Sequence, residues 1–432
     1  MAAPALPASC WTPGPACVAA SPLGAGSLWS LAPCAATGTV FAAGRGALVA
    51  VLSRAAPAVA PAPTVLHAST HGTYACLLSR DGRTVYAACG DGAVRSFDAA
   101  SGAALTVRPL LPAHPQPLEA EEGGAPATVH GTYCLALCPL TSDWLLAGSG
   151  DGCVRCWQLG TEAADLLAAA FTWPDDHEGA VTALLAAPLT SAASVAVVSG
   201  GEDGCLVCRH LPAGADAAAS RATPVTWRLD DGHSAGVTAL AADPAAGCVY
   251  SACWGGHVAC TSLVDGAPIQ GWDLTVSGQG VDGEAAPQVG ATSLALCPRG
   301  LRLYVGCSDG SILVVCRSTG AVLDTLAHTV GTAGGAVCAL HVAPDGEHLL
   351  AAGTDKTLRT WRVALPRVWA PQPGTHARFP APFKQAVAQL VLGSADQSSS
   401  LGRALGNLDA ATRGGILAAM AGALAKDVYG AQ

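Results

Sequence analysis

Two cysteine pairs stand at a spacing that suits metal binding or thiol redox chemistry: Cys153 with Cys156, and Cys205 with Cys208. Zinc would need their thiolates to converge on one tetrahedral point. Three glutamates, Glu119, Glu121 and Glu122, cluster in the Pro- and Gly-rich stretch from Pro109 to Ala127. Glycoside hydrolysis uses two carboxylates at a fixed separation across a substrate. A run of acids in one solvated loop does not supply such a pair. The sequence carries no nucleophile elbow, phosphate-binding loop or zinc-protease helix motif. Two tyrosines, Tyr74 and Tyr133, recur in the context His-Gly-Thr-Tyr. What any of these residues can do depends on the elements that carry them.

Those elements repeat. A short signature returns along the chain: Gly90-Asp91-Gly92, Gly150-Asp151-Gly152, Glu202-Asp203-Gly204, Trp254-Gly255-Gly256, Ser308-Asp309-Gly310 and Thr354-Asp355-Lys356. An apolar run precedes each copy, and a strand-like run follows it. A decayed copy, Gly44-Arg45-Gly46, stands before them all, which makes seven. The last residues of these turns are 46 to 60 residues apart. Asp-Gly between two apolar runs marks a hairpin, because Gly tolerates positive φ without steric cost. Arg80-Asp81-Gly82 and Pro344-Asp345-Gly346 mark a second kind of turn. Three or four short strands per unit, seven times over, predict radial β repetition.

This spacing settles the cysteines. Both CxxC pairs fall in the predicted third strand of a unit, where residues three apart point to opposite faces. They cannot converge on one metal. Cys156, Cys208 and Cys260 occupy one repeat position, filled by Ser96 and Thr360 elsewhere. That position asks for a small inward side chain, a role buried Cys performs well. No metal and no cofactor is expected.

From about Ser27 to Leu365 the units resemble WD40 repeats. The resemblance rests on His71, His130, His177 and His233 at the family's His element, and on Trp157 and Trp361 at its Trp element, with Phe97 as a substitute. It implies an all-β fold, a seven-bladed WD40-type β-propeller. In the family, a His, Ser, Asp and Trp can brace a blade. Here no blade has all four. The third has His130, Asp151 and Trp157, with Ala147 at the Ser position; the fourth has His177, Ser199 and Asp203, with Arg209 in place of Trp. The blade-bracing set expected from the resemblance is His71, Asp91, His130, Asp151, Trp157, His177, Ser199, Asp203, His233, Asp309, Asp355 and Trp361. Incomplete bracing predicts blades held mainly by packing. A ring of blades must also close, or two sheet edges stay open. Ala16-Cys17-Val18-Ala19 and Arg367-Val368-Trp369 are alternative closing strands, the first preferred.

The resemblance places Tyr74 and Tyr133, three residues after the repeat His, on the face formed by inter-blade loops. Trp254 and Glu202 open their turns on the same face. A bulky aromatic at an exposed turn is costly unless something covers it, and aromatics are enriched in binding hot spots. Tyr74, Tyr133, Glu202 and Trp254 are therefore the candidate partner-binding residues, weighed against their lying flat on adjacent blades.

Composition narrows the function class. Of 432 residues, 51% are hydrophobic and only 12% charged, with a net charge of -9 and 18 Cys. The uncharged stretch from Gly179 to Gly201 is broken by Pro188, Thr190, Ser191 and Ser194, so no membrane span is expected. Met1 to Gly26 has no basic residue and no continuous apolar run, against a signal or transit peptide. Residence in cytoplasm or nucleus is the expectation, with free thiols. The acidic balance and lack of a basic run argue against direct nucleic-acid binding.

Four segments are expected: a Pro/Ala-rich N-terminal segment at 1–26, the propeller at 27–365, a Pro-rich linker at 366–382 and a helical C-terminal extension at 383–432. Phe383, Val387, Leu390 and Val391 have helical spacing, and Leu408, Ile416, Leu417, Met420 and Leu424 suggest a second helix. The leading expectation is a non-catalytic scaffold or adaptor for protein or peptide partners in a multi-subunit complex. The alternative is a ubiquitin-ligase substrate receptor or adaptor acting through the C-terminal helices. Leu408 and Ile416 have the spacing of an F-box start, but Asp409, Thr412 and Arg413 depart from its pattern. The Trp-Asp-x-Arg ending of cullin-adaptor propellers is also absent, since Gln158 and Arg362 follow the two Trp residues.

Overall fold

The structure is a computed structural model. It describes residues 16–363 apart from 23–26, 35–38, 46–47, 54–63, 68–70, 110–130, 139–143, 160–165, 175, 190–193, 213–216, 275–288, 299–301, 318–319, 329–334 and 345.

The recurring Asp-Gly turns generate the local structure. In each complete copy the Asp carboxylate accepts the backbone N–H two residues on: Ala93 to Asp91, Cys153 to Asp151, Cys205 to Asp203, Ser311 to Asp309 and Thr357 to Asp355, at 2.8–3.3 Å. The next residue takes positive φ, with Gly92, Gly152, Gly204, Gly256 and Gly310 between 77° and 86°. Only Gly reaches this region without a Cβ clash. Lys356 holds the same turn position at φ 64°, the only described non-Gly residue with positive φ. Each turn therefore reverses the chain tightly and sets an antiparallel pair.

Four-stranded sheets result. β1 is Ala16–Pro22. The first sheet is β2 (Leu28–Pro33), β3 (Thr39–Gly44), β4 (Leu48–Ser53) and β5 (Thr64–His67). The second is β6 (Thr73–Leu78), β7 (Thr84–Cys89), β8 (Ala93–Asp98) and β9 (Ala104–Pro109). The third is β10 (Thr132–Leu137), β11 (Trp144–Ser149), β12 (Val154–Leu159) and β13 (Leu166–Trp173). The fourth is β14 (Val181–Pro188), β15 (Ser194–Gly201), β16 (Leu206–Pro212) and β17 (Trp227–Leu229). The fifth is β18 (Val237–Asp243), β19 (Cys248–Cys253), β20 (His257–Ser262) and β21 (Pro268–Asp273). The sixth is β22 (Ala291–Leu296), β23 (Arg302–Cys307), β24 (Ser311–Cys316) and β25 (Val322–Ala327). The last three strands, β26 (Ala339–Val342), β27 (His348–Ala352) and β28 (Thr357–Arg362), join β1 in the order β1–β28–β27–β26.

Seven self-contained blades are therefore not what the repeats make. Six sheets are each built from four consecutive strands. The remaining repeat supplies three strands, and its outer edge is paired by β1 from the other end of the strand series. The Ala16-to-Ala19 segment lies in that edge strand. The rival segment at 367–369 lies outside the described residues, as do the helices expected in 383–432. The one described helix, α1 (Ala217–Arg221), was not expected; it sits between β16 and β17. Trp173 donates its indole N–H to the Ser220 carbonyl of α1 at 3.1 Å.

The sheets close into a ring because each neighbouring pair shares an apolar cluster. Ala32, Phe41 and Ala43 pack with Cys76, Val85 and Phe97. Tyr86 and Val94 pack with Leu145 and Trp157. The series continues through the fourth, fifth and sixth sheets. It returns to its start where Leu28, Val40 and Ala42 meet Ala339, Leu350 and Leu358. The Leu28 N–H also donates to the Gly353 carbonyl at 3.1 Å. Second strands covered on both faces, such as β7, β11, β19 and β23, are buried at every residue. Fully burying a Val, Leu or Phe is worth about 1.5–3 kcal/mol, so the clusters carry most of the stability. The architecture is an all-β propeller.

The cysteines need one correction. Cys153 and Cys205 lie just ahead of β12 and β16, in the turns, and not in the strands. Their sulfurs face Asp151 O at 3.6 Å and Asp230 O at 3.6 Å. Cys156, Cys208 and Cys260 are buried inside the sheets. Burial pushes the Cys208 thiol up to about 12.

Candidate interaction face at the channel mouth

Each innermost strand begins with a buried residue followed by a half-buried one, except in the last sheet, where the pair directly precedes β26. The pairs are Leu28-Trp29, Thr73-Tyr74, Thr132-Tyr133, Val181-Thr182, Val237-Thr238, Ala291-Thr292 and Val337-Cys338. In the first six, the register shifts at the second residue, which is left without a ladder partner. Such a bulge re-aims a side chain. Seven equivalent positions thus form a ring where the central channel opens.

The ring has two unlike arcs. Trp29, Tyr74 and Tyr133, from three successive sheets, make an aromatic arc. Trp29 stacks on Tyr74, with centroids 4.8 Å apart and planes 6° from parallel. Tyr74 meets Tyr133 edge to face at 4.7 Å. Glycines make room for them: a Cβ at Gly90 would come within 3.0 Å of Tyr74 Cε2. The Tyr133 hydroxyl is pushed up, first by burial and then by the charges of Tyr74 and Glu202.

Threonines make the other arc, and each one ties two sheets together. The Thr238 hydroxyl donates to Ala291 O of the next sheet at 2.8 Å and to Ala252 O of its own at 3.1 Å. Thr292 donates to Val337 O at 2.7 Å and Gly306 O at 2.9 Å. Thr182 donates to Val237 O and to Gly200 O. Cys338 completes the arc, its sulfur 3.6 Å from Ala336 O.

The first residues of the Asp-Gly turns form a second tier. Glu202 is exposed, and Trp254 is 58% exposed. Trp254 leans over Gly290, where a Cβ would come within 3.1 Å of its Cε3. Between the tiers lies an open cavity of about 480 Å³, lined in part by Trp29, Thr238, Trp254, Thr292, Glu202 and Thr354. Glu202 and Trp254 thus share one cavity. Tyr74 and Tyr133 join it through Trp29, which the sequence reading missed. Trp29 sits in the first unit, where no His-Gly-Thr-Tyr marks the position.

The bracing residues divide more sharply. The fourth sheet has a hydrogen-bonded trio: His177 Nδ1 lies 3.1 Å from Asp203 Oδ1, and His177 Nε2 lies 2.9 Å from Ser199 Oγ. An ionised carboxylate only accepts, so Nδ1 carries the proton and Ser199 donates to Nε2. Asp203 is lowered: burial opposes this, but the N–H groups of Cys205 and Glu178 and the His177 ring outweigh it. Arg209, at the family's Trp position, pairs with Asp176 and lies over the Trp173 ring at 5.1 Å. His233 reaches Ser251 Oγ at 2.7 Å. Gly255 stands where the other turns have Asp, and His233 Nδ1 has no partner among the described residues.

Elsewhere arginines join the bracing. His71 is exposed, and His130 lies outside the described residues. Asp91 is gripped by Arg95 at 2.6 and 2.8 Å. Asp151 is gripped by the buried Arg155, and Asp355 by Arg359. In each of these three turns an arginine four residues on holds the Asp, a regular Asp-x-x-x-Arg signal that was readable in the sequence. Among the described residues, Asp309 accepts only from Ser311 in its own turn. Trp157 and Trp361 are buried, and Trp361 Nε1 has no hydrogen-bond partner among the described residues. The unforeseen His328 lies 3.4 Å from Asp355.

Comparison with known proteins agrees with this geometry. The family model described as "WD domain, G-beta repeat" matches residues 127–158 and 321–362. These two matches and the ring of sheets support a WD40-repeat β-propeller. No curated protein sequence matches it. In this WD40 propeller the two matched segments end at the third strands β12 and β28, the strands that hold Trp157 and Trp361. Arg–Asp pairs occur in both matched repeats, Asp151 with Arg155 and Asp355 with Arg359, and in the second sheet, Asp91 with Arg95.

Proposed function

We propose that this propeller is a non-catalytic scaffold that binds protein or peptide partners at the channel mouth. The observation that carries this reading is the grouping of an aromatic arc, an exposed Trp254 and Glu202 around one open cavity. An exposed Trp beside an apolar recess is the usual makeup of a binding hot spot. The WD40 fold supports a scaffold role, since such propellers typically present surfaces to protein partners. No described helix is long and apolar enough to cross a membrane.

Affinity purification with the full chain tests the proposal. Trp29→Ala, Tyr133→Ala and Trp254→Ala together should remove co-purifying partners. Val264→Ser with Ile269→Ser, exposed apolar residues away from the cavity lining, should leave them in place. If the triple variant is folded by circular dichroism and keeps every partner, the proposal is wrong.

A further inference from the structure

The hydroxyls of the threonine arc all present the same sense of hydrogen bonding. The hydroxyl protons of Thr182, Thr238 and Thr292 are each committed to backbone carbonyls. A hydroxyl whose proton is spent has only lone pairs left to offer. Burial also pushes Cys338 up to about 11, so it stays a neutral thiol whose proton faces Ala336 O. The one ionised side chain in the lining is Glu202, and no Lys or Arg lines the cavity. The Glu202 backbone N–H donates to Ala180 O at 2.9 Å, while its side chain has no hydrogen-bond or ion-pair partner among the described residues. Its field reaches the Tyr133 hydroxyl. The aromatic arc adds ring faces, whose negative quadrupole attracts cations.

Two exposed cations on this rim stand away from Glu202, at the Trp29 end of the ring. Arg45 belongs to the turn of the first sheet and Lys356 to that of the last, each three sheets round the ring from Glu202. Glu178, also exposed, precedes β14 and adds negative charge on the Glu202 side. An anionic ligand would meet the spent hydroxyls of the threonine arc and a carboxylate, with the neutral indole N–H groups of Trp29 and Trp254 and the Thr354 hydroxyl as its donors. A cationic one would meet acceptors, a carboxylate and ring faces.

We infer that the partner group seated in this mouth is a cationic side chain, a lysine or arginine of an extended peptide, held between Glu202 and the Trp29–Tyr74–Tyr133 arc. This rests on the reading of the mouth as a partner site. A cavity of about 480 Å³ accepts such a side chain together with a flanking residue.

The test displays peptides randomised at every position against the full chain. Arg and Lys should be enriched at one central position. Glu202→Gln should weaken the selected peptides about tenfold, a loss near one charge-assisted contact. Glu202→Lys should shift selection toward Asp and Glu. Glu202 is exposed and its carboxylate makes no hydrogen bond or ion pair among the described residues, so both variants should keep the wild-type circular dichroism spectrum. Selected peptides that need Trp29, Tyr133 and Trp254 but are not cationic would overturn this inference and leave the binding site standing. Peptides that bind the triple Ala variant equally well would overturn the site itself.

Discussion

Trp29 and Tyr74 stack face to face across two neighbouring sheets, 4.8 Å between centroids. Their positions are equivalent by register, each at the bulge of an innermost strand. The contact is therefore both a seam between sheets and a wall of the channel mouth.

A double-mutant cycle on this pair should show the seam. Trp29→Ala and Tyr74→Ala are expected to couple by about 0.5–1.5 kcal/mol in urea unfolding. Strictly additive effects would mean the stack contributes nothing beyond burial.

The threonine arc should behave in the opposite way. Thr238→Val removes a hydroxyl that serves two carbonyls, in nearly the same volume. Stability should fall by about 1 kcal/mol. A Thr238→Val chain of wild-type stability would sink the tie assigned to it.

Arg155 has only 2% of its side chain exposed and depends on Asp151 for charge balance. Asp151→Asn should cost about 3 kcal/mol or more, since it leaves a buried guanidinium without its carboxylate. Asp91→Asn should cost less, because Arg95 is 20% exposed. Equal losses at the two sites, measured by thermal or urea unfolding, would contradict the burial argument.

Lys356 occupies a turn position that five described copies give to Gly, at φ 64°. Lys356→Gly should stabilise the protein by about 0.5–1 kcal/mol, the left-handed strain relieved less the added chain entropy. A lower urea midpoint for the variant would contradict this.

Acid should weaken the fold in two stages. His233 and His328 are both brought down to about 4: His233 by burial and then the neighbouring His257, His328 by burial, with Asp355 opposing. The unfolded chain then binds more protons between about pH 6.5 and 4. The stability tied to each ring is present above pH 6.5 and is lost as pH falls toward 4. Asp203 and Asp355 are lowered as well, so their contribution is lost in more acid solution. His328→Gln should flatten the urea midpoint between pH 6.5 and 4. An unchanged pH profile would count against the buried neutral ring.

Much of this was legible in the residues. The Asp-Gly turns fix hairpins by local chemistry, an acceptor carboxylate followed by a residue free to take positive φ. Their recurrence gave the repeat, and the small residues at Ser96, Cys156, Cys208 and Cys260 marked inward strand positions. The brace set was less legible. Family resemblance assigned His71 to it, yet that side chain is exposed, while Arg95, Arg155 and Arg359 hold their aspartates from four residues away. That pairing obeys local spacing, but a search for His hides it.

The sequence by itself determined the strands, their turns and the all-β class, because these follow from backbone geometry and apolar runs a few residues long. Only the tertiary structure decided that β1 completes the sheet of β26–β28, and that Trp29, Tyr74 and Tyr133 meet opposite a threonine arc. The physical reason is distance along the chain. Trp29 and Tyr133 are 104 residues apart, and no local rule links them; ring closure does, because it brings every innermost strand to one axis and turns equivalent positions into neighbours.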